Sequence, residues 1–210
     1  EEYLRDRSMS NNDYLMYPFD ETYDNPILGR TEYQAMYELS DELLRINPDL
    51  QMFLNPVSFG PEDLKALEKL RGSVAVWSVN VRLLEKVDHI GWPNSFTYGD
   101  KLKAIEFFKQ EQKNGRQFWA YQCDGPMKAL DINGYYRRFA WLCWMNGITG
   151  MSIWSYNDVR PERTSGSSWD DFDFKTADFS MIYEMRNAPD DIPREPFEPL
   201  IPSRRWQVWR

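Results

Sequence analysis

Two consecutive carboxylates, Asp20-Glu21, close a short aromatic run, Asp13-Tyr14-Leu15-Met16-Tyr17-Pro18-Phe19. Glycosidic bond cleavage needs such groups: one acid protonates the leaving oxygen and a second group stabilises the oxocarbenium-like state. Adjacent residues on a regular strand point to opposite faces, so both reach one substrate only where the strand breaks. Thr22 to Pro26, with the turn signal Asn25-Pro26, supplies a break. A solvated acidic loop is the competing reading of the same dipeptide.

Other chemistry is narrowed by what the chain contains. His89 is the only histidine and sits in the loop-like Lys86-Val87-Asp88-His89-Ile90-Gly91. A zinc site built on several histidines is therefore excluded, and so is a Ser-His-Asp site that does not use His89. Cys123 and Cys143 are too few for a disulfide framework. Asp170-Asp171-Phe172-Asp173, with Asp178 beyond, offers oxygen ligands but not EF-hand spacing, and reads as a solvated loop. Arg204-Arg205 reads as helix-start chemistry or packing. No metal and no cofactor is expected.

The 210 residues carry a formal net charge of -8, which argues against a nucleic-acid partner. With 42% hydrophobic and 28% charged residues the chain is globular in composition. Aromatic residues are abundant: 9 Trp, 12 Tyr and 12 Phe. They read either as a Trp-rich core or as a cleft that stacks sugar rings. The chain opens Glu1-Glu2-Tyr3-Leu4-Arg5, without a signal-peptide pattern. The longest uncharged run, Phe139 to Asn157, is broken by Asn146-Gly147 and by Ser and Thr. It reads as a buried helix, a turn and a buried strand, and no membrane span is expected.

The elements that must position these residues alternate. Strands are predicted at Asp13–Phe19, Leu50–Leu54, Ser73–Val79, Gln117–Tyr121 and Thr149–Trp154. Helices are predicted over Glu32–Ile46, from Pro61 to before Gly72, from Gly99-Asp100 to Asn114-Gly115, and over Tyr135–Met145. Such alternation means βα units and a parallel sheet. Two architectures fit: a doubly wound open sheet, or part of an eight-fold barrel. No G-x-G-x-x-G or Walker pattern is present, which disfavours a nucleotide-binding sheet. As a barrel, the chain supplies about the last five βα units of a (β/α)8 TIM-type fold. It is read as one domain over residues 1–210, with long loops at 155–203.

Chemistry in parallel α/β folds gathers at the C-terminal strand ends. Those ends carry Asp20-Glu21, Asn55, Trp77 to Asn80, Tyr121 to Asp124, and Trp154 to Asp158. Carboxylates for proton transfer beside flat rings suggest a carbohydrate cleft.

In order and spacing, several segments resemble the catalytic domain of glycoside hydrolase family 123 and its uncharacterised barrel relatives, which are bacterial-type proteins. They are Pro18-Phe19-Asp20-Glu21, Val76-Trp77-Ser78-Val79-Asn80, Trp119 to Pro126, Gly147 to Trp154 and Ile201 to Trp206. The resemblance implies a (β/α)8 barrel that removes terminal β-N-acetylhexosamine, typically galactosamine, by a retaining, substrate-assisted route. Carried over, Glu21 protonates the leaving oxygen and later activates water, which requires it to hold its proton at rest. Asp20 orients the acetamide N–H and stabilises the oxazolinium. Trp77, Tyr121 and Trp154 would stack or wall the sugar, Asn157 and Asp158 would bind its hydroxyls, and Asn80 and Asp124 are further substrate-binding candidates. Thr22 stands where relatives commonly have Pro, and the first three barrel strands and the usual N-terminal β-sandwich have no counterpart. The missing N-terminal barrel segment or a second chain is therefore a candidate partner beside the carbohydrate. A glycan-degrading role leans towards the periplasm or the cell exterior. Two alternatives stay open. One is a hydrolase for another sugar, with a distant carboxylate such as Asp124 as nucleophile. The other is a non-catalytic sugar-binding or partial-barrel module.

Overall fold

The computed structural model describes residues 6–7, 9–10, 13–23, 26–27, 30–91, 94–123, 131–153, 182–184 and 200–202. The chain divides into two compact units, Glu1–Ala120 with Asn146–Gly150, and Tyr121–Met145 with Met151–Arg210.

A two-stranded antiparallel hairpin, β1 (Pro26–Ile27) and β2 (Arg30–Thr31), leads into helix α1 (Glu32–Ile46). Thr31 and Gln34 form a reciprocal capping box at its start. Its end falls at Asn47, before Pro48, which cannot continue a helix. Then come β3 (Met52–Leu54), α2 (Pro61–Lys69), β4 (Val74–Asn80), a 3-10 helix (Val81–Leu84), α3 (Tyr98–Lys113) and β5 (Gln117–Gln122). Helix α4 (Ile132–Met145) and β6 (Gly150–Ile153) follow, with a short antiparallel pair, β7 (Ile182–Glu184) and β8 (Leu200–Pro202), later in the chain. That last pair lies within the stretch read from sequence as loops.

Strands β3 to β6 form one four-stranded parallel sheet in chain order, and the sheet does not close on itself. The expected alternation of strands and helices is thus present as an open α/β arrangement. The predicted first strand joins it at one point only. Met16 donates its N–H to Gln51 O at 2.9 Å and accepts from Phe53 N–H at 2.8 Å. On one side of that bridge Asp13 turns back onto Ser10, and on the other Pro18 has no N–H to give, so no ladder propagates.

Register assigns the faces. Phe53 pairs with Val76 and Leu54 with Trp77. On one face Trp77 meets Phe107 of α3 edge-on and Phe108 at a tilt, and Phe118 of β5 stacks on Phe108 at 5.1 Å. On the other, Phe53 lies edge-on to Tyr17 at 5.2 Å and to Trp119 at 6.2 Å. Such pairs contribute about 0.5–1.5 kcal/mol each beyond the area they bury. Every β4 residue except Ala75 is buried, as expected of a strand covered on both faces. Below β4, the Lys101 ammonium donates to Arg82 O at 2.6 Å and Glu85 O at 3.3 Å, closing the 3-10 helix. Asp63 joins α2 to α1: its carboxylate accepts Ser58 Oγ at 2.7 Å, the Gly60 N–H at 3.0 Å and the Tyr33 hydroxyl at 3.3 Å.

Candidate active site

Asn55 is the first residue beyond β3, and its side chain grips the Asp20-Glu21 pair with both ends. Nδ2 donates to Asp20 Oδ1 at 2.8 Å, and Oδ1 accepts the Glu21 N–H at 3.0 Å. The Tyr17 hydroxyl also donates to Asp20 Oδ1. One residue further on, Thr22 O accepts the Val57 N–H at 3.2 Å, so the turn is pinned at three successive residues to the segment leaving β3.

The backbone here leaves strand geometry. Glu21 has φ of +49°, in the left-handed region that L-residues rarely occupy. Holding it there costs of order 1 kcal/mol, met by contacts that over-determine the turn. The break in alternation required of two adjacent catalytic carboxyls therefore exists, and it falls at Asp20-Glu21 itself.

Two groups beside the pair have displaced acidities. Burial raises the Tyr17 hydroxyl well above the ordinary tyrosine value, and the hydrogen bond to Asp20 and its charge add to this. Glu32, in the first turn of α1, is only 4% exposed. Its carboxyl is pushed up to about 7, chiefly by burial; the Tyr23 backbone amide opposes the rise and the charge of Asp20 adds to it.

The remaining sequence-derived candidates fare differently. Trp77 is 0% exposed with its ring against α3, so it is a core residue and not an open sugar wall. Its parity on β4, shared with Leu54 across the register, sends it to the helix side. Asn80 is also buried, and its Oδ1 caps the 3-10 helix through the Arg82 N–H at 3.1 Å. Tyr121 is half-buried on β5. Asp124, Trp154, Asn157 and Asp158 lie outside the described residues.

Two residues of the site, Tyr17 and Glu32, were not singled out from sequence, and Asn55 was named only as a strand end, without a role. Tyr17 was visible as part of the aromatic run, and Glu32 as a helix-start acid.

His89 pairs with Phe96 in an isolated antiparallel bridge and stacks on its ring at 4.7 Å, in keeping with a structural role. Burial pushes the Cys143 thiol up to about 12, well away from nucleophile range at neutral pH. Among the described residues no cluster of His, Cys, Asp or Glu is placed to hold a metal ion, and no helix is long and apolar enough to cross a membrane. Compared with protein-family models, curated proteins and solved structures, the chain finds no match.

Proposed function

We propose that the chain is glycoside hydrolase-like and cleaves terminal β-N-acetylhexosaminides, with N-acetylgalactosamine favoured, by a retaining, substrate-assisted route. In the same reading its open sheet is the C-terminal part of a (β/α)8 barrel. The observation that carries the proposal is the Asn55 clamp on a left-handed turn, which holds the Asp20 carboxylate and the Glu21 backbone N–H beside the C-terminal end of a parallel strand.

The chemistry assigns each group a task. Glu21 gives its proton to the glycosidic oxygen as the bond to the anomeric carbon breaks and the substrate's own acetamide oxygen closes on that carbon. The oxazolinium so formed is cationic, and Asp20 lies next to it as the anionic partner. Asn55 and Tyr17 both donate to Oδ1 of Asp20, which leaves Oδ2 for the acetamide N–H. Glu21, now a carboxylate, takes a proton from water, and the hydroxyl opens the ring with net retention. No enzyme nucleophile is needed, so neighbouring acids suffice where the two-carboxylate scheme would demand opposed ones.

The diagnostic test is a thiazoline mimic of the oxazolinium against hydrolysis of aryl β-N-acetylhexosaminides. Competitive inhibition supports substrate assistance; turnover that the thiazoline leaves untouched points to a separate carboxylate nucleophile and a different sugar. The burial of Trp77, which removes one expected stacking wall, favours a second reading: a barrel piece that binds sugar without turnover. That reading predicts saturable binding and no released aglycone.

A further inference from the structure

We infer, building on the proposed reaction, that Tyr17 is a positioning residue for Asp20, and that a row of rings crossing the sheet, Trp119 and Phe53, sets where its hydroxyl lies. The Tyr17 hydroxyl donates to Oδ1 of Asp20, the oxygen that Asn55 Nδ2 also holds at 2.8 Å. One donor would leave the carboxylate free to swing about its own bond. Two donors on the same oxygen, one from the run before the acidic pair and one from the end of β3, fix its plane. Bonds to an ionised acceptor are the stronger kind, so each donor counts.

Tyr17 is half exposed, and the run that carries it joins β3 through one bridge, at Met16. Its backbone alone therefore holds the ring loosely. Phe53 seats it instead, edge-on at 5.2 Å, and Trp119 meets Phe53 in turn at 6.2 Å. The Trp119 indole rests over Gly150 of β6. A Cβ at Gly150 would fall on Cγ, Cδ1 and Cδ2 of that indole, far inside the ~3.5 Å at which carbon atoms touch. The bare backbone at Gly150 is thus the seat of the row, as glycine in a strand often marks a close approach. Gly150, Trp119, Phe53, Tyr17 and Asp20 all belong to one compact unit. Every step from β6 to the carboxylate is a ring contact or a hydrogen bond. Packed rings have few alternative positions, so a shift of the indole is passed on to the Tyr17 hydroxyl. In the proposed reaction that hydroxyl decides which oxygen of Asp20 meets the acetamide N–H.

Tyrosine isotopically labelled at Cζ tests the row by NMR without any substrate. The Tyr17 resonance, assigned by its loss in Tyr17→Phe, should move in Asp20→Asn, where a charged acceptor becomes a neutral one. It should move again in Gly150→Ala, which displaces the indole by about 1 Å, and in Phe53→Leu, a milder change should Gly150→Ala fail to fold. In turnover of an aryl β-N-acetylhexosaminide, Tyr17→Phe should lower kcat about tenfold and leave KM within about twofold. Gly150→Ala or Phe53→Leu should lower kcat roughly fivefold in the wild-type background, but less than about twofold in Tyr17→Phe, where the hydroxyl they act through is already gone. A Tyr17 resonance indifferent to Asp20→Asn overturns the hold on Asp20. A resonance that Gly150→Ala and Phe53→Leu leave in place, or rate losses of equal size in both backgrounds, overturns the row. A wild-type chain without turnover whose resonance responds to all three changes refutes the enzyme reading and leaves the row and its hold on Asp20 standing.

Discussion

Replacing Asn55 with Ala removes two hydrogen bonds at once: the 2.8 Å bond to Asp20 and the 3.0 Å bond from the Glu21 N–H. A bond to a charged group contributes about 1.5–3 kcal/mol and a neutral one about 0.5–1.5 kcal/mol. Asn55 itself is 6% exposed, but Asp20 is exposed, so water replaces much of the first bond. The expected loss is about 2 kcal/mol, or about 4–8 °C in Tm for a chain of this size. The left-handed Glu21 would then relax towards ordinary backbone geometry and move its carboxyl from its present position. A misplacement of about 1 Å costs roughly a hundredfold in rate. Thermal melts followed by tryptophan fluorescence, with kcat for an aryl β-N-acetylhexosaminide, read both effects. An Asn55→Ala chain that melts within about 1 °C of wild type and keeps its rate would show that Asn55 does not hold the pair.

Trp77→Ala should lower stability by about 3–5 kcal/mol in urea titrations, since it empties a wholly buried site against Phe107 and Phe108. Trp77→Phe should leave KM unchanged, because the ring faces α3; a large rise in KM would restore Trp77 as a sugar wall. Glu32 predicts a pH dependence of folding. Its acidity in the fold is about 7 against an ordinary 4.5, so the folded state holds the proton more tightly. That contribution is complete below pH 4.5 and is lost as pH rises through about 7. Its size is about 1–3 kcal/mol, and Glu32→Gln should flatten this part of the stability profile.

The parts of the fold legible in the sequence are those written in local chemistry. Helix α1 is marked by its apolar spacing and by Asn47-Pro48, α2 by Pro61 and Gly72, and α3 by Asn114-Gly115, where Gly115 takes φ of +87°. The central strands read as apolar runs for the same reason that they are buried. That uniformity is also why Trp77 was misplaced: a strand covered on both faces shows no alternation, so parity cannot be assigned before the register with β3 is known. Asp13–Phe19 has strand composition, but its single bridge at Met16 reflects Pro18 and the Asp13 turn, which composition does not weigh. At the site, the acidic pair was readable, but the break was expected after it, at Thr22 to Pro26, whereas the left-handed residue is Glu21 itself. The clamp was not readable, because an Asn before Pro at a strand end has the same appearance whether it turns the chain or holds a carboxylate. Glu32 escaped notice because a glutamate opening a helix is ordinary, and its burial comes from tertiary contacts that the local sequence does not encode.

The central claim is that Glu21 supplies the proton for cleavage of an acetamido sugar. Chromophore release from the aryl glycosides of β-N-acetylgalactosamine and β-N-acetylglucosamine, wild type against Glu21→Gln, tests it most directly. The account predicts turnover by the wild type, greater on the galactosamine substrate. It predicts loss of cleavage in the variant, except with a leaving group good enough to depart unprotonated. Full activity on natural glycosides in Glu21→Gln, or no turnover by a folded wild-type chain on either substrate, would contradict it.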